Sequence, residues 1–266
     1  MSTLQFGTYT FPSCFKPISH AASRDLAEQE RPRVPGSITQ PGRTQSRKLQ
    51  LSGNIMADTL AEIQAIEDAV RAGLESNTGI QQLFFGRPDR FIFAQVASVT
   101  ETWASGSSDG TEASWFGAAH GLIVSFTAGW PYFIDLATWT TPNVVDLTAT
   151  GGTVTTTGNA DFTPATWTIP ISTAGTGTIV LTNTATGAAA TISGTFAAGD
   201  VVTLQRGLTA SGGTVYQVLK NGAADPSIMT GIIPTLAAGA NVVTITATGS
   251  LAVGAPTCSF TNFWMS

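Results

Sequence analysis

The sequence predicts an α+β N-terminal domain, a sheet with one helix, followed by an all-β antiparallel sandwich. Three observations carry this. Beyond residue 136 the only charged residues are Arg206, Lys220, Asp146, Asp161, Asp200 and Asp225, out of 12 Lys/Arg and 17 Asp/Glu in the chain. One stretch, 58–76, repeats apolar side chains at helical spacing. The second half is a series of short Thr-, Ile- and Val-rich runs parted by turn residues. A shift in composition marks a domain boundary, and here it gives domains 1–137 and 138–266.

In the first half, Leu4, Phe6, the Tyr9 region and Phe11 read as an opening strand ended by Pro12. Leu60, Ile63, Ile66, Val70 and Leu74 are three and four residues apart and share one helical face. Thr59 followed by Glu62 fits a capping box, in which each side chain accepts the other's backbone N–H. Leu83–Phe85 and Arg90–Val99 read as strands parted by the turn Gly86-Arg87-Pro88-Asp89. Gly106–Gly110 is a loop by composition, and Gly121–Thr127 a short apolar strand.

In the second half, strands are expected at Thr166–Ile171, Thr178–Asn183, Ala190–Thr195, Asp200–Gln205, Val215–Lys220 and Asn241–Ala247. Gly151–Gly158, almost wholly Gly and Thr, precedes them. Asn221-Gly222 is a two-residue hairpin signal. Disorder is rejected because Ile, Val and Leu recur inside these runs, as in Thr244-Ile245-Thr246. Many short strands at near-even spacing imply an antiparallel sandwich.

Composition excludes several functions. Net charge is −5, whereas a free duplex-binding domain is normally basic, so sequence-specific nucleic-acid binding is not expected. An acidic balance is compatible with a channel along which DNA slides without sticking. Cys14 and Cys258 lie in opposite halves, which favours a cytosolic folding compartment over a disulfide framework. Met1 to Thr10 shows no signal-peptide pattern, and no run approaches the roughly 20 apolar residues of a membrane helix, so membrane insertion is not expected.

No catalytic or cofactor constellation is visible. His20 and His120 have no Cys, His or carboxylate at ligand spacing, so no metal is expected. Cys14 has no base beside it, and no Gly-x-Ser-x-Gly elbow occurs. Asp161 and Asp200 are the carboxylates of the sandwich that could approach one another, but a glycosidase needs such a pair held about 5 to 10 Å apart. The aromatics of the second half, among them Trp139, Phe162, Trp167, Tyr216 and Trp264, are either core or sugar-stacking residues; Trp167 and Trp264 sit in strand-like patterns and read as core.

The densest charge feature is basic: Arg31, Arg33, Arg43, Arg47 and Lys48. It is either a solvated loop or a docking arm that pairs with acidic surface on a neighbouring subunit or partner. Pro32, Pro35 and Pro41 favour an extended path over a helix.

The order of motifs resembles a known family. Arg31-Pro32-Arg33-Val34-Pro35-Gly36 leads through Pro41-Gly42-Arg43 and Arg47-Lys48-Leu49 to Leu51-Ser52-Gly53, and Ser125-Phe126 later precedes Pro131-Tyr132-Phe133. In the second half, Asn183-Thr184-Ala185-Thr186-Gly187, Gly199-Asp200 and Leu236-Ala237-Ala238-Gly239-Ala240-Asn241 follow in turn. The chain thereby resembles the distal tail proteins of long, non-contractile-tailed bacteriophages, whose C-terminal domain is galectin-like.

The resemblance implies a structural component of the virion tail tip, made in the host cytoplasm, and not an enzyme. It implies self-association as a hexameric ring through which DNA passes. The implied partners are the tail tube protein, a tail tip hub or tail-associated lysin-type protein, and receptor-binding or accessory proteins. A galectin-type sugar site would use His, Arg, Asn, Trp and Glu, and the second half holds neither His nor Glu. The alternative of another class is a soluble glycan-binding or adhesion module on a phage or cell surface.

Overall fold

The computed structural model describes residues 4–19, 22–24, 27–30, 37–40, 44–57, 59–103, 120–209 and 212–265. Two compact units divide the chain, Met1–Pro131 and Tyr132–Ser266. The loop expected at Gly106–Gly110 lies outside the described residues.

The first unit contains β1 (Leu4–Phe6), β2 (Tyr9–Thr10), β3 (Phe15–Ser19), β4 (Ala22–Arg24), β5 (Ala27–Glu30), β6 (Ser37–Gln40) and β7 (Thr44–Ile55). Then come α1 (Leu60–Glu75), β8 (Gln81–Phe85), β9 (Arg90–Trp103) and β10 (His120–Ala128). The sheet order is β2-β1-β8-β9-β10-β7-β3, with β4 also on β7 and β5–β6 a separate hairpin. Pairing is antiparallel throughout. The opening strand expected from the sequence is a tight hairpin instead: Phe6 pairs with Tyr9 across Gly7-Thr8. Phe6, Phe11 and Phe126 form its aromatic core, with Phe6 and Phe126 ring centroids 5.1 Å apart.

The helix begins where its cap requires. The Glu62 backbone N–H donates to Thr59 Oγ1 at 3.3 Å, and the Thr59 N–H donates to Glu62 Oε2 at 3.2 Å. Ile63, Val70 and Leu74 are buried and Ile66 half-buried, the face that the spacing predicts. Gly73 permits a close approach, since a Cβ there would stand 2.2 Å from the ring of Tyr9. The Thr8 N–H donates to Asn77 Oδ1 at 3.0 Å, which fixes the helix end to the first hairpin. Arg71 pairs with Glu67 one turn back and with Glu101 on β9.

The second unit contains β11 (Phe133–Asp135), α2 (Leu136–Thr140), β12 (Asn143–Asp146), β13 (Gly151–Thr156), β14 (Ala165–Thr173), β15 (Gly175–Asn183), β16 (Ala188–Phe196) and β17 (Val201–Leu208). It continues with β18 (Thr214–Lys220), β19 (Ala223–Ala224), β20 (Met229–Gly231), β21 (Gly239–Gly249), β22 (Ala252–Val253), β23 (Thr257–Phe260) and β24 (Phe263–Trp264). One sheet runs β12-β23-β14-β17-β18-β19, with β22 on β14; the other runs β13-β21-β15-β16-β20. Alternate residues of both sheets, such as Trp167 and Ile169 on β14 and Ile179 and Leu181 on β15, bury into one shared core. Two antiparallel sheets over one core make a β-sandwich. Asn221 and Gly222 both have positive φ, 52° and 80°, as a two-residue turn joining twisted strands requires.

Between β20 and β21 the chain leaves the sheets, yet Ile233 to Leu236 are buried. A buried segment without strand partners must satisfy its backbone by other means. Here side chains do most of it. The Ile233 N–H donates to Tyr216 Oη (3.2 Å), Trp167 Nε1 donates to the Pro234 carbonyl (2.8 Å), and Asn183 Nδ2 donates to the Thr235 carbonyl (2.6 Å). Leu236 exchanges both backbone bonds with Thr163 at 2.8 Å. The Ala237 N–H donates to Asn241 Oδ1 (2.8 Å), and Asn241 Nδ2 returns a bond to the Ala237 carbonyl (3.0 Å). Asn183 and Asn241 also bond to each other at 3.0 Å with both residues fully buried.

Two outcomes follow from these contacts. Asn241→Ala takes the acceptor from the Ala237 N–H, while the Ala237 carbonyl keeps Thr156 Oγ1 and Asn183 Nδ2 keeps the Thr235 carbonyl; a group orphaned in this way costs about 1–3 kcal/mol. Thermal unfolding of the variant is expected to shift down by about what one such group gives. The second concerns β11. It pairs with β24, and Tyr132 Oη donates to Asp161 at 2.5 Å while its ring sits edge-on to Phe263 at 6.4 Å. A fragment of residues 132–266 is expected to melt cooperatively and at a higher temperature than 138–266, which lacks those contacts. Equal melting temperatures would show that β11 adds nothing to the unit.

Candidate functional site

Of the five basic residues, the structure describes the side chains of two. Arg31, Arg33 and Arg43 lie outside the described residues; the sequence sets Arg31 and Arg33 between β5 and β6, and Arg43 just before β7. Arg47 and Lys48 are on β7, so the chain is there a strand paired on both edges and not a free arm. Their side chains diverge. Arg47 is 2% exposed, on the face of Leu49, Leu51 and Ile55, whereas Lys48 is exposed. The period of two along Arg47-x-Leu49-x-Leu51 carried that signal, which the clustering of positive charge obscured.

The titratable groups of the described residues are dispersed. Among the described residues no three His, Cys, Asp or Glu side chains stand close enough to hold a metal ion. The side chains of His20 and His120 lie outside the described residues. Cys14 is half-buried and Cys258 buried, both free; burial pushes the Cys14 thiol above its ordinary value and that of Cys258 up to about 12. A thiol so raised stays protonated and is a poor nucleophile. Asp161 and Asp200 serve different neighbours. Asp161 accepts from Tyr132, whereas Asp200 accepts from Asn221 Nδ2 (2.8 Å) and the Ala197 N–H (2.9 Å) and pairs with Lys220 (3.3 Å). The Asn221 amide, then the Ala197 N–H, hold the Asp200 carboxyl below its ordinary range. Its work is to fix the turn into β17.

The expected core aromatics divide. Trp167 is fully buried, but Trp264 is only half-buried, because β24 is two residues long and pairs only with β11 among strands of its unit. Phe263 is buried in its stead. Tyr216 is about half exposed, at 51%, with its hydroxyl bonded to Ile233.

Two clefts remain. In the first unit, one of about 320 Å³ lies between the end of α1 and β9, lined by Leu74, Asn77, Gln95, Val96 and Val99 among others. In the second, one of about 180 Å³ is lined by Trp139, Thr166, Gln205, Arg206 and Ser259 among others. Arg206 is anchored there, its guanidinium 4.6 Å from the ring centroid of Phe162 and Nη1 donating to the Ile233 carbonyl at 3.4 Å.

The architecture is therefore an antiparallel α+β unit followed by an antiparallel sandwich, without a concentrated catalytic constellation among the described residues. That fold is shared with a solved phage protein. The crystal structure of the SPP1 Dit protein, described as a paradigm of the hub adsorption apparatus in phages infecting Gram-positive bacteria, matches with a TM-score of 0.66 at 15% identity, over 98% of each chain. The structure of the phage p2 baseplate in its activated conformation with Sr matches with a TM-score of 0.30 at 10% identity, over 90% of each chain. No family model and no curated protein match the sequence.

The opposite burial of Arg47 and Lys48 separates their roles. Arg47→Ser removes a buried side chain whose stem packs in the sheet, and is expected to lower stability by about 1–3 kcal/mol. Lys48→Ser, at an exposed position, should stay within about 0.5 kcal/mol of the parent. Urea titration of both variants measures the difference.

Proposed function

We propose that this chain is a structural component of a phage virion tail tip: a hub that assembles as a hexameric ring, joins the tail tube to the host-recognition apparatus and lets DNA pass. One observation carries the reading. The likeness to the SPP1 Dit protein covers 98% of both chains, so it takes in both units and not one common sandwich alone. The dispersal of titratable groups among the described residues agrees with a role in assembly and not in catalysis. In this reading the first unit makes the ring contacts, because it carries most of the charge, and the second is a galectin-like domain facing outwards towards receptor-binding or accessory proteins. The net charge of −5 suits a lumen that must not hold DNA.

The basic residues enter as a docking element. Arg31, Arg33 and Arg43, with exposed Lys48, would pair with acidic surface on the neighbouring subunit or the tail tube, while buried Arg47 belongs to the fold of its own subunit. Single exposed ion pairs contribute only about 0–1 kcal/mol, so the effect comes from several per interface, repeated around the ring.

The test is light scattering and negative-stain microscopy of the full chain, alone and with the tail tube protein. Six-fold rings with a central hole are expected. Their assembly should weaken between about 0.1 M and 1 M salt, where the Debye length falls from about 10 Å to 3 Å. A variant with Arg31, Arg33, Arg43 and Lys48 changed to Ser should fold yet assemble poorly. A chain that stays monomeric in both conditions refutes the hub; parent-like assembly of the variant at every salt concentration refutes only the docking role. A second reading, a glycan-binding or adhesion module, draws on the cleft beside Trp139.

A further inference from the structure

The cleft of the second unit has an unusual polar lining. Thr166 on β14 stands directly opposite Gln205 on β17 and Ser259 on β23. Directly opposite residues share a sheet face, so the three form a row across adjacent strands spaced about 4.8 Å apart. The neighbours Trp167 and Leu204 point into the core, which turns the row outwards. All three are half-buried, and none of their side chains hydrogen-bonds to another described residue. Two hydroxyls and an amide thus line one cleft with their bonding capacity unspent among the described residues.

The rest of the cleft is held firmly. Trp139, half-buried, lies on α2, whose start is capped by Asp135 through the Ala137 and Thr138 N–H groups at 2.9 and 3.2 Å. Thr138 is tied to the segment after β23: Thr261 Oγ1 donates to its carbonyl and the Asn262 N–H donates to its Oγ1, each at 3.0 Å. Among the described residues Arg206, held over Phe162, is the one charged residue of the lining, and no carboxylate of theirs lines the cleft.

This chemistry selects a ligand class. An apolar molecule would cover Thr166, Gln205 and Ser259 without giving them partners, a loss for each polar group. A cation would meet Arg206 with no carboxylate to offset it. A sugar ring has both properties that the cleft requires: a C–H face that packs on an indole and hydroxyls that exchange hydrogen bonds with Ser, Thr and Gln side chains. A volume of about 180 Å³ has room for one such ring. We propose that the cleft is a saccharide site taking one uncharged pyranose unit, with Trp139 against the ring and Thr166, Gln205 and Ser259 on its hydroxyls. The proposal does not rest on ring assembly.

The test uses the full chain with three probes: the methyl glycosides of glucose, galactose and N-acetylglucosamine. Saturation-transfer NMR, with the Trp139 indole N–H followed by its chemical shift, reads binding. At least one probe is expected to bind with a dissociation constant of about 1 mM and to move that indole signal. Thr166→Val and Gln205→Ala each remove no side-chain hydrogen bond to a described residue, so both should fold, and each should weaken binding about tenfold. Gln217→Ala, opposite Gln205 but outside the cleft lining, should leave binding unchanged. Absence of binding by all three probes, or parent-like binding by the Thr166→Val and Gln205→Ala variants, overturns the site. Neither result bears on whether the chain forms rings.

Discussion

The sandwich depends on how the buried stretch from Ile233 to Ala237 is accommodated. It passes through the core without a sheet of its own, where an unpaired N–H or carbonyl is costly. The side chains of Tyr216, Trp167, Asn183 and Asn241 and the backbone of Thr163 meet its polar groups one after another. The largest fully buried side chain among the described residues, Trp167, is thus also a hydrogen-bond donor at the point where the chain crosses. Each of these residues lies on a different element, so the stretch ties both sheets together. The buried Asn183–Asn241 pair links the turns on either side, and a partly satisfied version of the network would be worse than an apolar core.

A second constraint is solubility with little charge. The outward rows of the sandwich solve it with hydroxyls in place of ions. Thr176 bonds to Thr195 at 2.8 Å and Thr178 to Thr248 at 2.6 Å across neighbouring strands. Threonine suits this position because its branched Cβ fits the pleat and its hydroxyl finds a cross-strand partner. The first unit keeps the charge, and part of it is structural: Arg71 joins α1 to β9 through Glu101, and Arg47 is buried in the long strand β7. Inward and outward alternation is a loose specification that many residues satisfy. That is how a chain with 15% identity to the SPP1 Dit protein retains its fold over 98% of the length.

Local patterning was enough to specify part of the secondary structure. The period along 60–74 and the Thr59–Glu62 pair set α1, and Asn221-Gly222 set a hairpin, because a cap or a two-residue turn is decided within a few residues. Strands β14 to β18 were legible from their alternating Ile, Val, Leu and Thr. The opening hairpin was not, since Gly7-Thr8 is a weak turn signal between apolar residues. Short strands such as β12 and β24 escaped because a few residues carry no period. Which turns meet, and which polar groups are left over, depends on the packed sheets. That Asn183 and Asn241 bond to one another, that Arg47 is buried beside an exposed Lys48, and that Thr166, Gln205 and Ser259 align in one cleft follow from strand register and sheet order. These are relations between residues distant in sequence, set by the whole core and not by any local pattern.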